Sequence, residues 1–279
     1  MCAAIKQLLV HVDASTHTNA RLAVARRIAE QHGAALAALY AVTPSAVTSP
    51  FAPLGSEMLS AGLLALDADR RDRSKAAFDA AMTTPGPHAA WSDLTEYSAT
   101  SDFARQALYA DLLVLGQTDI SGADGSGDPA DFIESVLVTS RKPALVLPRI
   151  GVQHSVGDTI VVAWKETPES AGAIAAAMPL LQRATQVHVV SWSPVVPRMA
   201  GGLLNLETYL RAHQLSPIWH DYGEEPDQLG ELLLSATFDL GADLLVMGCY
   251  GHSRAREWVL GGATRTVLQS MTLPVLMVH

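Results

Sequence analysis

The chain repeats itself once, and this repeat limits what it can fold into more than any other feature. Leu8-Leu-Val-His-Val-Asp13 lies over Ile160-Val-Val-Ala-Trp-Lys165, so that Asp13 falls on Lys165, 152 positions later, and both runs lead into an alanine-rich helical period. Near the other end, Arg141-Lys-Pro143-Ala-Leu-Val lies over Thr272-Leu-Pro274-Val-Leu-Met, 131 positions later. The second copy is therefore shorter, mainly through its central connection and helix. Within each copy, short apolar runs alternate with helical periods. That alternation predicts parallel sheets covered on both faces, the doubly wound α/β class, with ligand sites at the C-terminal ends of the strands. Two domains are expected, at residues 1–150 and 157–279, joined by a Gly151–Gly157 linker.

In the first copy, strands are predicted over 5–12, 34–42, 88–97, 111–116 and 143–148. The third is half polar, as suits a sheet edge. A helix carried by Leu22, Ala25, Ile28 and Ala29 follows the first strand, with Ser15 or Thr16 as its cap and His32-Gly33 as its stop. Further helices are expected over 57–82, 101–109 and 131–140, with irregular connections at 43–56, which holds three prolines, and at 121–129. In the second copy, strands are predicted over 159–164, 186–192, 217–222, 243–248 and 274–278, and helices over 203–214 and 263–271.

Composition narrows the function classes. The longest apolar stretch, near Ala171–Leu181, falls well short of the ~20 residues of a membrane span. The first strand follows the N-terminus without a leader, and Cys2 and Cys249 are too few for a disulfide framework. A soluble cytoplasmic protein with free thiols and no membrane partner is expected. A formal charge of −9 argues against a nucleic-acid partner. The histidines show no metal-ligand spacing, so no transition metal is expected.

The chemistry concentrates near the C-terminus. The apolar run Leu244–Met247 ends at Gly248; two residues separate it from Gly251 and nine more separate Gly251 from Gly261. A helical period begins directly after Gly262. Strand, glycine loop and helix in this order can hold phosphate, because glycine lets backbone approach a ligand and the N–H groups of a helix start favour anions. Two tight turns flanking a surface helix would give the same spacing.

Gly248-x2-Gly251-x9-Gly261 resembles the nucleotide loop of the universal stress protein family, G-x2-G-x9-G followed by Ser or Thr. Gly262 stands where the hydroxyl residue belongs, which removes one side-chain phosphate ligand and leaves the N–H groups of Gly262 and Ala263. Ala263-Thr264-Arg-Thr-Val-Leu and the closing Leu273-Pro-Val-Leu-Met-Val-His are similar to the family's last helix and strand. The resemblance is strong in the second half, looser in the first, and makes the chain look like a tandem pair. It implies two five-stranded parallel sheets of order 3-2-1-4-5, adenine nucleotide alpha hydrolase-like, with the final strands of the halves meeting as a pseudo-dimer. It also implies a nucleotide between the end of the first strand and the glycine loop. The first half keeps Asp13 and Gly116, but has Asp119 in place of the second glycine and lacks the last glycine and hydroxyl near Asp131. The second half keeps every glycine, with Lys165 replacing the acid. The nucleotide-binding residues so implied are Ala163, Trp164, Lys165, Met247, Gly248, Gly251, His252, Gly261, Gly262, Ala263 and Thr264, with ATP as ligand, with or without Mg, and the first half empty.

Several residues stay open at this level. Lys165 reaches phosphate or caps a strand end in solvent; His252, Arg254 and Arg256 add charge to a triphosphate or form a solvated face. Trp192 stacks on an adenine or packs at the sheet rim. His11 and His188 fit core positions, and Cys249 near His252 is a minor option for a nucleophile. No serine elbow, paired catalytic carboxylates or P-loop lysine motif appears, so no catalytic centre is nominated. Three functions follow: a cytoplasmic stress-response regulator or sensor binding ATP or a related adenine nucleotide in its second domain; a nucleotide-free interaction or scaffold protein; or a weak ATPase or small apolar ligand binder. By the resemblance the chain pairs into homodimers, unless the tandem halves satisfy that pairing within one chain.

Overall fold

The computed structural model describes residues 4–48, 57–94, 99–119, 127–150, 155–192, 204–250 and 262–279. Its strands follow the predicted apolar runs, and the chain divides into two compact units, Ile5–Arg149 and Ile150–His279.

In the first unit the elements run β1 (Gln7–Val12), α1 (Thr18–His32), β2 (Ala35–Tyr40), α2 (Ser45–Thr48), α3 (Glu57–Ala81), β3 (Ala89–Asp93), α4 (Ala99–Ala107), β4 (Leu112–Gly116), α5 (Phe132–Ser140) and β5 (Ala144–Leu147). The strands are ordered β3-β2-β1-β4-β5 and are parallel throughout, with Leu8 level with both Leu36 and Leu112. Leu8, Val10, Leu113, Val114 and Leu145 are wholly buried, as a sheet covered on both faces requires. β3, alternately exposed, is the edge strand that its half-polar sequence predicted.

The second unit runs β6 (Thr159–Trp164), α6 (Pro168–Leu181), β7 (Gln186–Ser191), α7 (Leu206–Ala212), β8 (Ile218–Asp221), α8 (Leu229–Asp239), β9 (Leu244–Gly248), α9 (Gly262–Ser270) and β10 (Val275–Val278). Its order, β8-β7-β6-β9-β10, again parallel, is the same winding. The doubly wound α/β class and the 3-2-1-4-5 order thus hold in each unit.

An acid just before the fourth strand fastens the first strand in both units. Asp111 accepts the backbone N–H groups of Lys6 and Gln7 at 2.8 and 2.9 Å. Asp243 accepts those of Gly157, Asp158 and Thr159 and the Ser155 hydroxyl, at 2.7–3.1 Å. These bonds satisfy N–H groups at the strand start that the ladder leaves free.

Three expectations need correction. The first helix is not capped by Ser15 or Thr16: its N-cap is His17, without a side-chain bond, because the Ser15 hydroxyl and N–H and the Thr18 hydroxyl go to Asp13 instead. The 43–56 connection contains the single turn α2, whose first residue Ser45 is held by the Asp67 carboxylate. Helix α8 was not anticipated, although Leu229, Leu233 and Ala236 form its inward stripe and it packs on α9.

Candidate functional site

In the second unit, β6 and β9 are neighbours, with Val162 level with Val246, so their C-terminal ends open side by side. Between those ends and the start of α9 lies a cavity of about 270 Å3. Ala163, Trp164 and Lys165 line it from β6, Met247 and Gly248 from β9, and Gly262, Ala263 and Thr264 from α9. These are the residues expected to bind nucleotide, apart from Gly251, His252 and Gly261, which lie outside the described residues, as do Arg254, Arg256 and Cys2. Thr167, Glu169, Ser170, Val190, Trp192, Glu225, Leu229, Leu233 and Tyr250 complete the lining.

The cavity lining is chemically mixed. The first turn of α9 has backbone N–H groups without partners inside the helix, the usual anchor for an anion. Val190, Leu233 and Met247, all buried, give the same cavity an apolar part. Charge at the mouth is mixed. The Lys165 ammonium, replacing the expected acid, is 2.5 Å from the Glu225 carboxylate, with both side chains partly exposed.

Two glycines serve different purposes. A Cβ on Gly248 would come within 2.6 Å of the Glu169 carbonyl carbon and the Ser170 nitrogen, so close packing of the strand end on the first turn of α6 already demands glycine there. That turn is capped by Thr167, whose hydroxyl accepts from the Ser170 N–H. At Gly262 a Cβ would meet nothing within 4 Å among the described residues, so these leave room for a serine or threonine.

Cys249 is a free thiol, 2% exposed. Burial, and then the Glu169 charge, push its pKa far above the usual thiol range, which disfavours the thiolate that a nucleophile needs.

At the corresponding strand end of the first unit an ion pair is buried. Asp13 follows β1 as Lys165 follows β6, and its carboxylate lies 2.9 Å from the guanidinium of Arg21 on α1; both residues are buried. The same guanidinium donates to the His11 carbonyl at 2.8 Å and lies over Gly116, where a Cβ would sit 2.2 Å from its Nη2. His11 donates from Nε2 to the Ala41 carbonyl at 3.0 Å, which leaves Nδ1 to face Arg21 at 3.4 Å, while Phe132 and Phe103 pack on its ring. The network thus assigns the neutral tautomer. Burial drives its pKa down to about 4, against the pull of Asp13 and with Arg21 adding to the fall. For Asp13, burial opposes ionisation, but Arg21, then His11 and the Thr18 and Ser15 hydroxyls, hold the carboxyl well below the ordinary range.

His11, Asp13 and Asp128 come close enough together to suggest a cation site. The Arg21 guanidinium already supplies the positive charge there, and both His11 ring nitrogens are engaged. Further along, Asp119 pairs with Arg149 at 2.5 Å rather than opening a loop for phosphate, and the Asp131 side chain accepts from Ser135.

His188 is buried on β7, as its strand position suggested, and its Nδ1 lies 3.0 Å from His220 Nε2 on β8. Trp192, just past β7, stacks against Tyr222 with centroids 4.8 Å apart and planes 20° from parallel. Sequence reasoning missed Arg21, Glu225 and Tyr222. Arg21 alone left a signal: a cation four residues before Ala25, inside the apolar stripe of α1.

In fold the chain matches universal stress protein structures. Residues 227–279, which include α8, β9, α9 and β10, match the profile of the Universal stress protein family. The whole chain is similar in fold to a universal stress protein from Archaeoglobus fulgidus DSM 4304, with a TM-score of 0.72 at 15% identity over 98% of this chain and 95% of that one. It is similar also to a functionally unknown protein from Pseudomonas aeruginosa PAO1, with a TM-score of 0.63 at 17% identity over 99% and 92% of the two chains. No curated protein sequence matches it significantly. Among the described residues, no helix is long and apolar enough to cross a membrane.

Proposed function

We propose that the second unit binds ATP or a related adenine nucleotide and that the protein acts through it as a cytoplasmic regulator or sensor in a stress response. The observation that carries this reading is the convergence of eight expected residues, from three elements up to 101 positions apart in sequence, on one cavity. The phosphates lie against Gly248 and the N–H groups of Gly262 and Ala263, and the nucleoside is flanked by Ala163–Lys165. A magnesium ion carried with the nucleotide would offset the Glu169 and Glu225 carboxylates that face the same space. The first unit takes no nucleotide, since Arg21 occupies the equivalent position. Neither nucleic acid nor membrane is a partner, in keeping with the net charge of −9.

Calorimetry with ATP on the natural protein and on Gly251→Val tests the assignment. Binding by the natural protein and its loss in the variant support it. Equal affinity in the two removes the site. No binding by the natural protein favours the second reading, a nucleotide-free interaction protein, for which the Lys165–Glu225 pair and the missing hydroxyl at Gly262 speak.

A further inference from the structure

We propose that His188 and His220 form an acid-released latch: one proton shared between the two rings fastens the edge strand β8 to β7, and a second proton parts them. The pair is built across the strand register. His188 is level with Ile218 and Val190 with His220, so the two rings share one face of the sheet, offset by two residues. His188 Nδ1 lies 3.0 Å from His220 Nε2. β8 is only four residues long and, among the described strands, pairs with β7 alone. So short an edge has few ladder bonds, and a side-chain tie carries a large share of its hold.

The second proton has no good place to go. His188 is buried, and its Nε2 has no hydrogen-bond partner among the described residues. With both rings neutral, a single N–H···N bond joins them. One added proton turns it into a charge-assisted bond from imidazolium to imidazole, which is stronger. Another removes the last lone pair between the rings, so two cations face each other and the buried Nε2 of His188 carries a proton that nothing accepts. In keeping with that cost, burial and then the His220 charge lower the His188 pKa. Neighbouring elements bring no opposite charge. His188 is the one titratable residue of β7, and Val161 of β6 lies level with it. Helix α8, whose Leu233 lines the cavity together with Val190, turns Leu233, Ala236 and Thr237 inward and leaves its acids Glu231 and Asp239 exposed. On β8, Asp221 belongs to the opposite face and accepts the Gly223 N–H. Release of β8 reaches the cavity through Tyr222, whose N–H donates to the Ser191 carbonyl at 2.9 Å and whose ring stacks on Trp192 in the cavity wall.

The test is amide hydrogen exchange of the full chain, followed by NMR from pH 7 to pH 4 and corrected for the intrinsic pH dependence of exchange. The probe is the Tyr222 N–H. Its protection should fall at the acid end by about fivefold or more, the size of one lost bond, while amides of β6 and β9 keep theirs. In His220→Gln the fall should vanish, since an amide both donates and accepts and so stays tied to either form of His188. Ring NMR of the natural protein gives a second reading that needs no variant: the two imidazoles should titrate as a coupled pair, in two separate steps. The latch is overturned by Tyr222 protection that stays constant, that falls equally in β6 and β9, or that falls as far in His220→Gln. Two rings that titrate independently overturn it as well.

Discussion

The Arg21 guanidinium meets the Asp13 carboxylate at 2.9 Å, with both side chains at most 5% exposed. The pair lies at the C-terminal end of β1, where Lys165 follows β6 in the second unit. Arg21→Ala would leave Asp13 buried and uncompensated, at a cost of about 3–5 kcal/mol. Urea unfolding should show the first unit melting early, while ATP binding by the folded second unit is retained. Adding Asp13→Asn should recover part of the loss, and a double variant no more stable than Arg21→Ala would show that the pair is not the cause.

Acid should act on the same cluster in two stages. With its pKa at about 4 when folded, His11 takes up a proton on unfolding between pH 6.5 and 4, so its contribution is complete above pH 6.5 and disappears as pH falls toward 4. The shift corresponds to roughly 3 kcal/mol. Asp13, held low in the folded state, adds stability that declines once pH falls into the ordinary carboxylate range and is gone when the folded carboxyl itself protonates. Stability measured from pH 7 to pH 4 should decline, and His11→Gln should flatten that decline.

Gly248→Ala places a Cβ against the backbone of α6, which has no flexible side chain to yield. Overpacking of this kind costs about 1–3 kcal/mol. The variant should melt earlier and bind ATP more weakly, since the two walls of the cavity are forced apart.

Gly262→Ser is expected to do the opposite. Its Cβ meets none of the described residues, and the restored hydroxyl adds a phosphate ligand at the helix start. A gain of about 1 kcal/mol, or some fivefold in ATP affinity, is the size of one added hydrogen bond. Unchanged affinity would show that the phosphates do not reach the start of α9.

Glu225 competes with a ligand for Lys165. Glu225→Gln should therefore strengthen ATP binding a few-fold at low salt and lose that advantage at high salt, because the pair is exposed and screened. Lys165→Met should weaken binding under the same conditions.

The sequence made the inner strands legible because parallel, doubly covered strands are nearly continuous apolar runs, and eight such runs recur in two matching series, with the half-polar β3 and β8 at the edges. The eight cavity residues were legible through the glycine spacing and the resemblance it carries. What stayed hidden was decided by tertiary contacts. Nothing in the run around Lys165 announces Glu225, 60 residues away, and nothing near Asp13 announces that a helix cation folds back to neutralise it. The short turn at Ser45 exists because Asp67 holds it, a contact without local signature. Gly248 was read as room for a ligand, whereas packing on α6 alone accounts for it.

Asp243 accepts from groups 84 to 88 residues earlier in the chain. During synthesis, β6 and α6 leave the ribosome well before the residue that fastens them. For that interval the start of β6 has free N–H groups and its apolar side chains lack the β9 neighbour that covers them. A chain stalled in this stretch presents an open, sticky parallel edge, the kind of surface that holding chaperones bind and that leads to aggregation. Growth past Asp243 and β9 closes that edge and, in the same step, brings the second wall of the cavity into place.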